Sequence, residues 1–209
     1  MFTVMGALFV ALQPFEVPTL SLQSRDGRSP MPNPWKDPGY MKVVWIQSPN
    51  FGPRPEDAVV STIVIHSTVI PTLKATTEAF QRESSQVSAH FTIGQDGSIV
   101  QNVSTWDRAW HAGVSRDYSG KENLNHYSIG IELVNLNDGK EPYSDKQLDA
   151  LRAIIKVMMR RHPISSLTSH EFIAVPSGRK SDPKSFPWEK LKDLGLPMYY
   201  GENPLNKKN

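Results

Sequence analysis

Thr62-Ile63-Val64-Ile65-His66 (TIVIH) and Ser128-Ile129-Gly130-Ile131-Glu132-Leu133-Val134 (SIGIELV) are the two stretches whose reading decides the fold. Both are rich in β-branched residues and both alternate, so each reads as a strand with one apolar face. In the first, Ile63 and Ile65 share a face, and Thr62, Val64 and His66 share the other. In the second, Ile129, Ile131 and Leu133 form the apolar side, which leaves Gly130 and Glu132 together on the opposite one. Each strand therefore carries a chemically unusual residue near its C-terminal end.

Working outward, Thr72 to Arg82 has helical character. Ser88 to Ile93 and Ser98 to Val103 flank Gly94-Gln95-Asp96-Gly97, an Asp-Gly turn signal that predicts a β-hairpin. The clearest helix spans Asp145 to Arg161. Ser144 and Gln147 have capping-box spacing, and Leu148, Leu151, Ile154, Ile155, Met158 and Met159 form an apolar stripe. Arg160, Arg161 and His162 suit its C-terminal end, and Pro163 stops it. Strands with helices before and after them predict a single α/β domain, a central mixed β-sheet flanked by helices.

Outside this domain the expected organisation is an N-terminal segment over 1–40, a domain over 41–200 and a polar, frayed tail over 201–209. Pro14, Pro18, Pro30, Pro32, Pro34 and Pro38 make the stretch to Tyr40 a linker, since proline sustains neither ladder nor helix. Val4 to Leu12 (VMGALFVAL) is apolar but too short to span a membrane; it reads either as a signal-peptide core or as a segment packed on the domain. That stretch and the linker favour a cell-envelope or secreted location, with the cytoplasm as the alternative.

Composition narrows the chemistry. The net charge is +2, and no Lys/Arg stripe of the kind nucleic-acid binding requires is present. The chain has no cysteine, so thiolate nucleophiles and Cys-ligated metals are excluded, and any metal rests on His and carboxylate. Six histidines are available, at positions 66, 90, 111, 126, 162 and 170. His66 sits at a strand end, where it is either a structural residue or a ligand presented by a rigid scaffold. His170 precedes a loop containing Pro176, Gly178 and Pro183 that can fold back to bring Asp182 to the same ion. Two His and one Asp leave a fourth position open, the pattern of a catalytic metal site. Glu132, in an otherwise apolar strand, either pairs with an Arg or Lys across the sheet or is functional, and Gly130 beside it leaves room for a ligand or substrate. Lys180 is either a plain loop lysine or a cation placed to stabilise an oxyanion.

Five ordered motifs, Thr62 to Thr68 (TIVIHST), Val87 to Ile93 (VSAHFTI), Ala109 to Val114 (AWHAGV), Asn125 to Asn135 (NHYSIGIELVN) and His170 to Pro183 (HEFIAVPSGRKSDP), resemble the N-acetylmuramoyl-L-alanine amidases of the type 2 family, which includes the peptidoglycan recognition proteins. The resemblance runs roughly from Val44 to Trp188 and lies with the branch having Asp as third metal ligand. It implies a Zn2+ site in a surface cleft, with zinc on His66, His170 and Asp182, and Glu132 and Lys180 as the catalytic pair. It also implies a peptidoglycan or muropeptide substrate and hydrolysis of the bond between the lactyl group of N-acetylmuramic acid and L-alanine; a monomer is expected. By the same resemblance His111, Asn125 and Arg179 are substrate-binding, and His90 is structural. His126 and His162 read as surface residues. One departure stands out: Val175 and Ser177 interrupt the last motif and lengthen the loop before Lys180 and Asp182, which keeps His90 and His111 as alternative ligands. The competing reading is a non-catalytic peptidoglycan-binding module of the same fold.

Overall fold

In the computed structural model, which describes residues 43–207, the two decisive stretches lie side by side at the centre of a seven-stranded sheet. In chain order the elements are β1 (Val43–Trp45), β2 (Phe51–Gly52), β3 (Thr62–Ser67), α1 (Leu73–Gln81), β4 (Phe91–Ile93), β5 (Ile99–Gln101), β6 (Arg108–Ala109), β7 (Ser128–Leu133), α2 (Asp145–Arg161), β8 (Ser166–Ser169), α3 (His170–Ile173) and β9 (Met198–Tyr199). The main sheet has the order β1-β5-β4-β7-β3-β8-β9, and β2 pairs with β6 apart from it. Only the β4–β5 hairpin is antiparallel within the main sheet, so the sheet is mixed, as expected.

Parallel register positions the chemistry. β3 and β7 align Thr62 with Ser128, Val64 with Gly130 and His66 with Glu132. β3 and β8 align Ile65 with Ser169, so His66 and His170 emerge together at the C-terminal ends of adjacent strands. In open α/β sheets, that end is where the crevice for a ligand forms. The apolar face of Ile63, Ile65, Ile129, Ile131 and Leu133 is fully buried. On the other face, Val64 joins Ala112, Leu124, Phe172 and Ile173 in a separate apolar cluster.

The elements form for the local reasons read from the sequence. Thr72 caps α1 by accepting from the Ala75 amide, and Ser144 caps α2 by accepting from the Gln147 amide. The second half of the capping box is missing. Instead of reaching back to Ser144, the Gln147 amide bridges the carbonyls of Ile93 and Val134 and ties α2 to two strands. The stripe on α2 is buried except for Met159, which is 37% exposed.

Two expectations are corrected. The tail is not frayed over its described part: the Asn203 and Asn206 side chains donate to the carbonyls of Arg116, Asp117 and Phe172, and both residues are buried. His162 is not a surface residue either; it is 4% exposed, with Nε2 2.9 Å from the Thr105 hydroxyl and its ring against Trp106. Ending α2 in an extended conformation turns this side chain inward. His126 is half-buried and bonded to Arg108. The apolar stretch Val4 to Leu12 and the Pro-rich linker lie outside the described residues.

Candidate active site

Three side chains meet where β3, β8 and the 174–183 loop converge. His66 is the next-to-last residue of β3, His170 opens α3, and Asp182 returns on the loop, all three buried. The Asp182 Oδ2 atom is 3.1 Å from His170 Nδ1 and 3.4 Å from His66 Nδ1, and one ligand atom from each residue lies within 4.8 Å of the others. The lengthened loop does not misplace Asp182, because backbone and side chains pin it on both sides. The Glu171 amide donates to the Asp182 carbonyl, the Ser177 amide to Asn206, and the Lys184 amide to the Asn137 side chain.

Electrostatics fit the geometry. Burial, aided by the charge on His170, pushes the His66 imidazole down to about 4, so it is neutral near pH 7 and carries a free lone pair. Burial alone would raise the Asp182 carboxyl, but the hydrogen bond from His170 and the adjacent His66 imidazole outweigh it and hold the group well below the usual carboxylate range. The neutral His66 imidazole, the His170 imidazole and an ionised carboxylate, buried and converging without a thiolate, form a donor set that suits a divalent cation.

Glu132 stands beside this cluster, its Oε1 4.0 Å from His66 Nδ1 and its Oε2 buried with no hydrogen-bond partner. No Lys or Arg forms an ion pair with it among the described residues, so the cross-sheet pairing considered from the sequence is not made. Burial first, and the Asp182 charge second, push its carboxyl up to about 8, against the opposing pull of Lys180. Lys180 is exposed and close enough to act electrostatically on both Glu132 and His66.

The remaining candidates are brought near the site, each with part or all of its polar side chain engaged by the protein. His111 is 8% exposed, with Nδ1 3.1 Å from His66 Nε2 and Nε2 3.3 Å from the Ser128 hydroxyl, so neither ring nitrogen is left for a substrate. Asn125 accepts from the amides of His111 and Ala112, and Arg179 donates to the carbonyls of Ala112, Val114 and Val175; both brace the loop that carries His111. His90 Nδ1 accepts from the Gly130 amide, which gives it a structural place outside the cluster. Gly130 does leave room, but for the protein itself: a Cβ there would lie 2.4 Å from His111 Cγ.

Sequence reasoning missed two supports. Tyr143 is buried, its hydroxyl 2.6 Å from that of Ser67 next to His66 and donating to the Lys184 carbonyl beyond Asp182. Arg54 donates to the carbonyls of Asn125, His126, Thr105 and Ser128 and so clamps the segment entering β7. A proline-flanked arginine in a loop carries no local signal of that role.

Residues 56–185 match the family model described as N-acetylmuramoyl-L-alanine amidase. The 1,6-anhydro-N-acetylmuramyl-L-alanine amidase AmpD of Citrobacter freundii is 34% identical over 179 residues, covering 75% of this chain and 92% of the relative. A crystal structure of an AmpD derivative superposes with a TM-score of 0.60 at 33% identity, covering 73% of this chain and 93% of the other. The amidase AmiD from E. coli, in complex with the substrate anhydro-N-acetylmuramic acid-L-Ala-D-gamma-Glu-L-Lys, superposes with a TM-score of 0.60 at 30% identity, covering 69% of this chain and 61% of the other. The Drosophila peptidoglycan recognition protein SA shares the fold, with a TM-score of 0.56 at 17% identity.

Proposed function

The chain belongs to the N-acetylmuramoyl-L-alanine amidase family, and from that premise we propose that it hydrolyses the amide between the lactyl group of N-acetylmuramic acid and L-alanine in 1,6-anhydro-muropeptides, with zinc as its metal. The observation that carries this reading is the buried convergence of His66, His170 and Asp182 beside the unpartnered carboxylate of Glu132. Zinc held by those three residues supplies Lewis acidity, polarising the scissile carbonyl and lowering the pKa of water to roughly 7.

The chain's own groups do the rest. Glu132 accepts the proton of the attacking water; a carboxyl raised by burial is a strong acceptor, and a cation among its neighbours acts in the same direction as Lys180, keeping it ionised. The Lys180 ammonium stabilises the oxygen on which negative charge develops, an interaction worth on the order of 3 kcal/mol. Glu132 then returns its proton to the departing L-alanine nitrogen, so the peptide leaves as a neutral amine. Asn125 and Arg179 hold the wall of the site, and the Asn125 Nδ2 and Arg179 Nη1 groups remain its proposed contacts to substrate. We place the protein as a monomer, and Val4 to Leu12 keeps the envelope as the proposed location.

The competing role, recognition without cleavage, requires the loss of a ligand or of the base, and both are present. The test is incubation of the full-length protein with a soluble anhydro-muropeptide and, separately, with sacculi, with products read by mass spectrometry. Release of intact anhydro-muramic acid and a peptide with a free L-alanine amino terminus supports the proposal. Cleavage within the stem peptide, or binding without cleavage, defeats it.

A further inference from the structure

We infer that His111 is a positioning residue that fixes which nitrogen of His66 faces the metal, through a hydrogen-bond chain of defined direction ending at the Leu124 carbonyl. The inference rests on the metal-centre reading and concerns this chain's own residues.

The direction of the chain follows from its last atom. A carbonyl oxygen only accepts, so the Ser128 hydroxyl, 2.5 Å from the Leu124 carbonyl, donates its single proton there. The Ser128 oxygen is then an acceptor toward His111 Nε2, 3.3 Å away, which places the His111 proton on Nε2. His111 is buried, and no carboxylate is among its hydrogen-bond partners or ring neighbours, so the neutral ring is the form its surroundings support, with a lone pair on Nδ1. That lone pair lies 3.1 Å from His66 Nε2 and can be met only by a proton on it. His66 is left with a bare Nδ1, the atom 3.4 Å from Asp182 Oδ2. A carbonyl three links away thus presents His66 Nδ1 as a ligand before any ion arrives.

The surroundings hold this arrangement. Asn125 fixes the backbone of His111 through its amide, and the absence of a side chain at Gly130 admits the ring. Gly130 is held in turn by the hydrogen bond from its amide to His90 Nδ1. The second histidine of the cluster has no such support, since His170 Nε2 is buried without a protein partner. His66 is therefore the imidazole that the protein orients through a partner on its distal nitrogen, an arrangement whose removal typically costs 10–100-fold in metal affinity.

The test measures zinc affinity of the full-length protein by competition with a fluorescent chelator for wild type, His111→Leu and His111→Asn. Leucine fills the space and accepts nothing, whereas asparagine returns an acceptor oxygen close to the place of Nδ1. The expected result is a loss of roughly 10–100-fold for His111→Leu and recovery to within a few-fold of wild type for His111→Asn. A folded His111→Leu protein that binds zinc as tightly as wild type overturns the inference. Should that variant not fold, nitrogen-15 NMR of the wild-type imidazoles decides: a His66 proton on Nε2 in the zinc-free protein supports the chain, and a proton on Nδ1 refutes it. Wild-type protein that binds no zinc defeats the metal-centre reading itself, and this inference with it.

Discussion

Replacing Gly130 with alanine tests the packing of the site, because two explanations of that glycine lead to opposite outcomes. An added Cβ would stand 2.4 Å from His111 Cγ and 2.7 Å from both Cδ2 and Nδ1, closer than real Cβ contacts come. Cγ is the near end of the side chain, so rotation gives little relief, and the backbone behind it is held by the Asn125 side chain. Overpacking of this kind costs about 1–3 kcal/mol. Displacing the ring also forfeits its hydrogen bonds to His66 and Ser128, at about 1 kcal/mol each. Lower unfolded-state entropy returns about 0.4–1 kcal/mol, leaving a net loss of about 2–4.5 kcal/mol. For a domain of this size that is a fall of about 5–15 °C in melting temperature by calorimetry. The Gly130→Ala protein should also bind zinc more weakly. Melting within about 2 °C of wild type together with a raised KM would refute this reasoning and show that the glycine makes room for substrate.

Three further outcomes follow from the site. Glu132→Gln should lower kcat by about 10²–10⁴-fold while retaining zinc, checked by metal analysis beside the rate, because the carboxylate moves protons and lies outside the ligand set. Lys180→Ala should lower kcat by about 10²–10³-fold with unchanged metal content, since the ammonium is exposed, lies outside the ligand set and acts on charge developing in the reaction. His162 is held down to about 4 by burial, with Arg54 and Arg161 adding to the effect, whereas an unfolded histidine titrates near ~6.5. The unfolded state therefore takes up a proton first as pH falls; His162 favours the fold fully above pH ~6.5 and progressively less down to about 4. Thermal melts from pH 7 to 4.5 should show a steeper decline for wild type than for His162→Gln, and parallel slopes would contradict the assignment.

Local pattern made the strands and helices legible. Alternation in TIVIH and SIGIELV gives β3 and β7, and the serine cap and Pro163 give both ends of α2. The ligand candidates were legible too, because a histidine at a strand end and a carboxylate in an apolar strand are exceptions to burial rules. Parallel register was not, since no short-range signal sets Val64 against Gly130 or His66 against Glu132. Buried polar groups were hidden for the same reason. His162, Arg54 and Asn206 look like surface residues until their distant partners, Thr105, the carbonyls before β7 and the Phe172 carbonyl, are in place. His111 shows the limit most clearly: its motif brings it to the site, but only the fold shows that its nitrogens point to His66 and Ser128.

The most direct test of metal-dependent cleavage at this centre is a zinc titration of chelator-treated, full-length protein, following release of L-alanyl peptide from an anhydro-muropeptide. The account predicts no release without metal, recovery that saturates near one equivalent of zinc, and none for His170→Ala under the same conditions. Release that persists in excess chelator, or that His170→Ala supports as well as wild type, would contradict it.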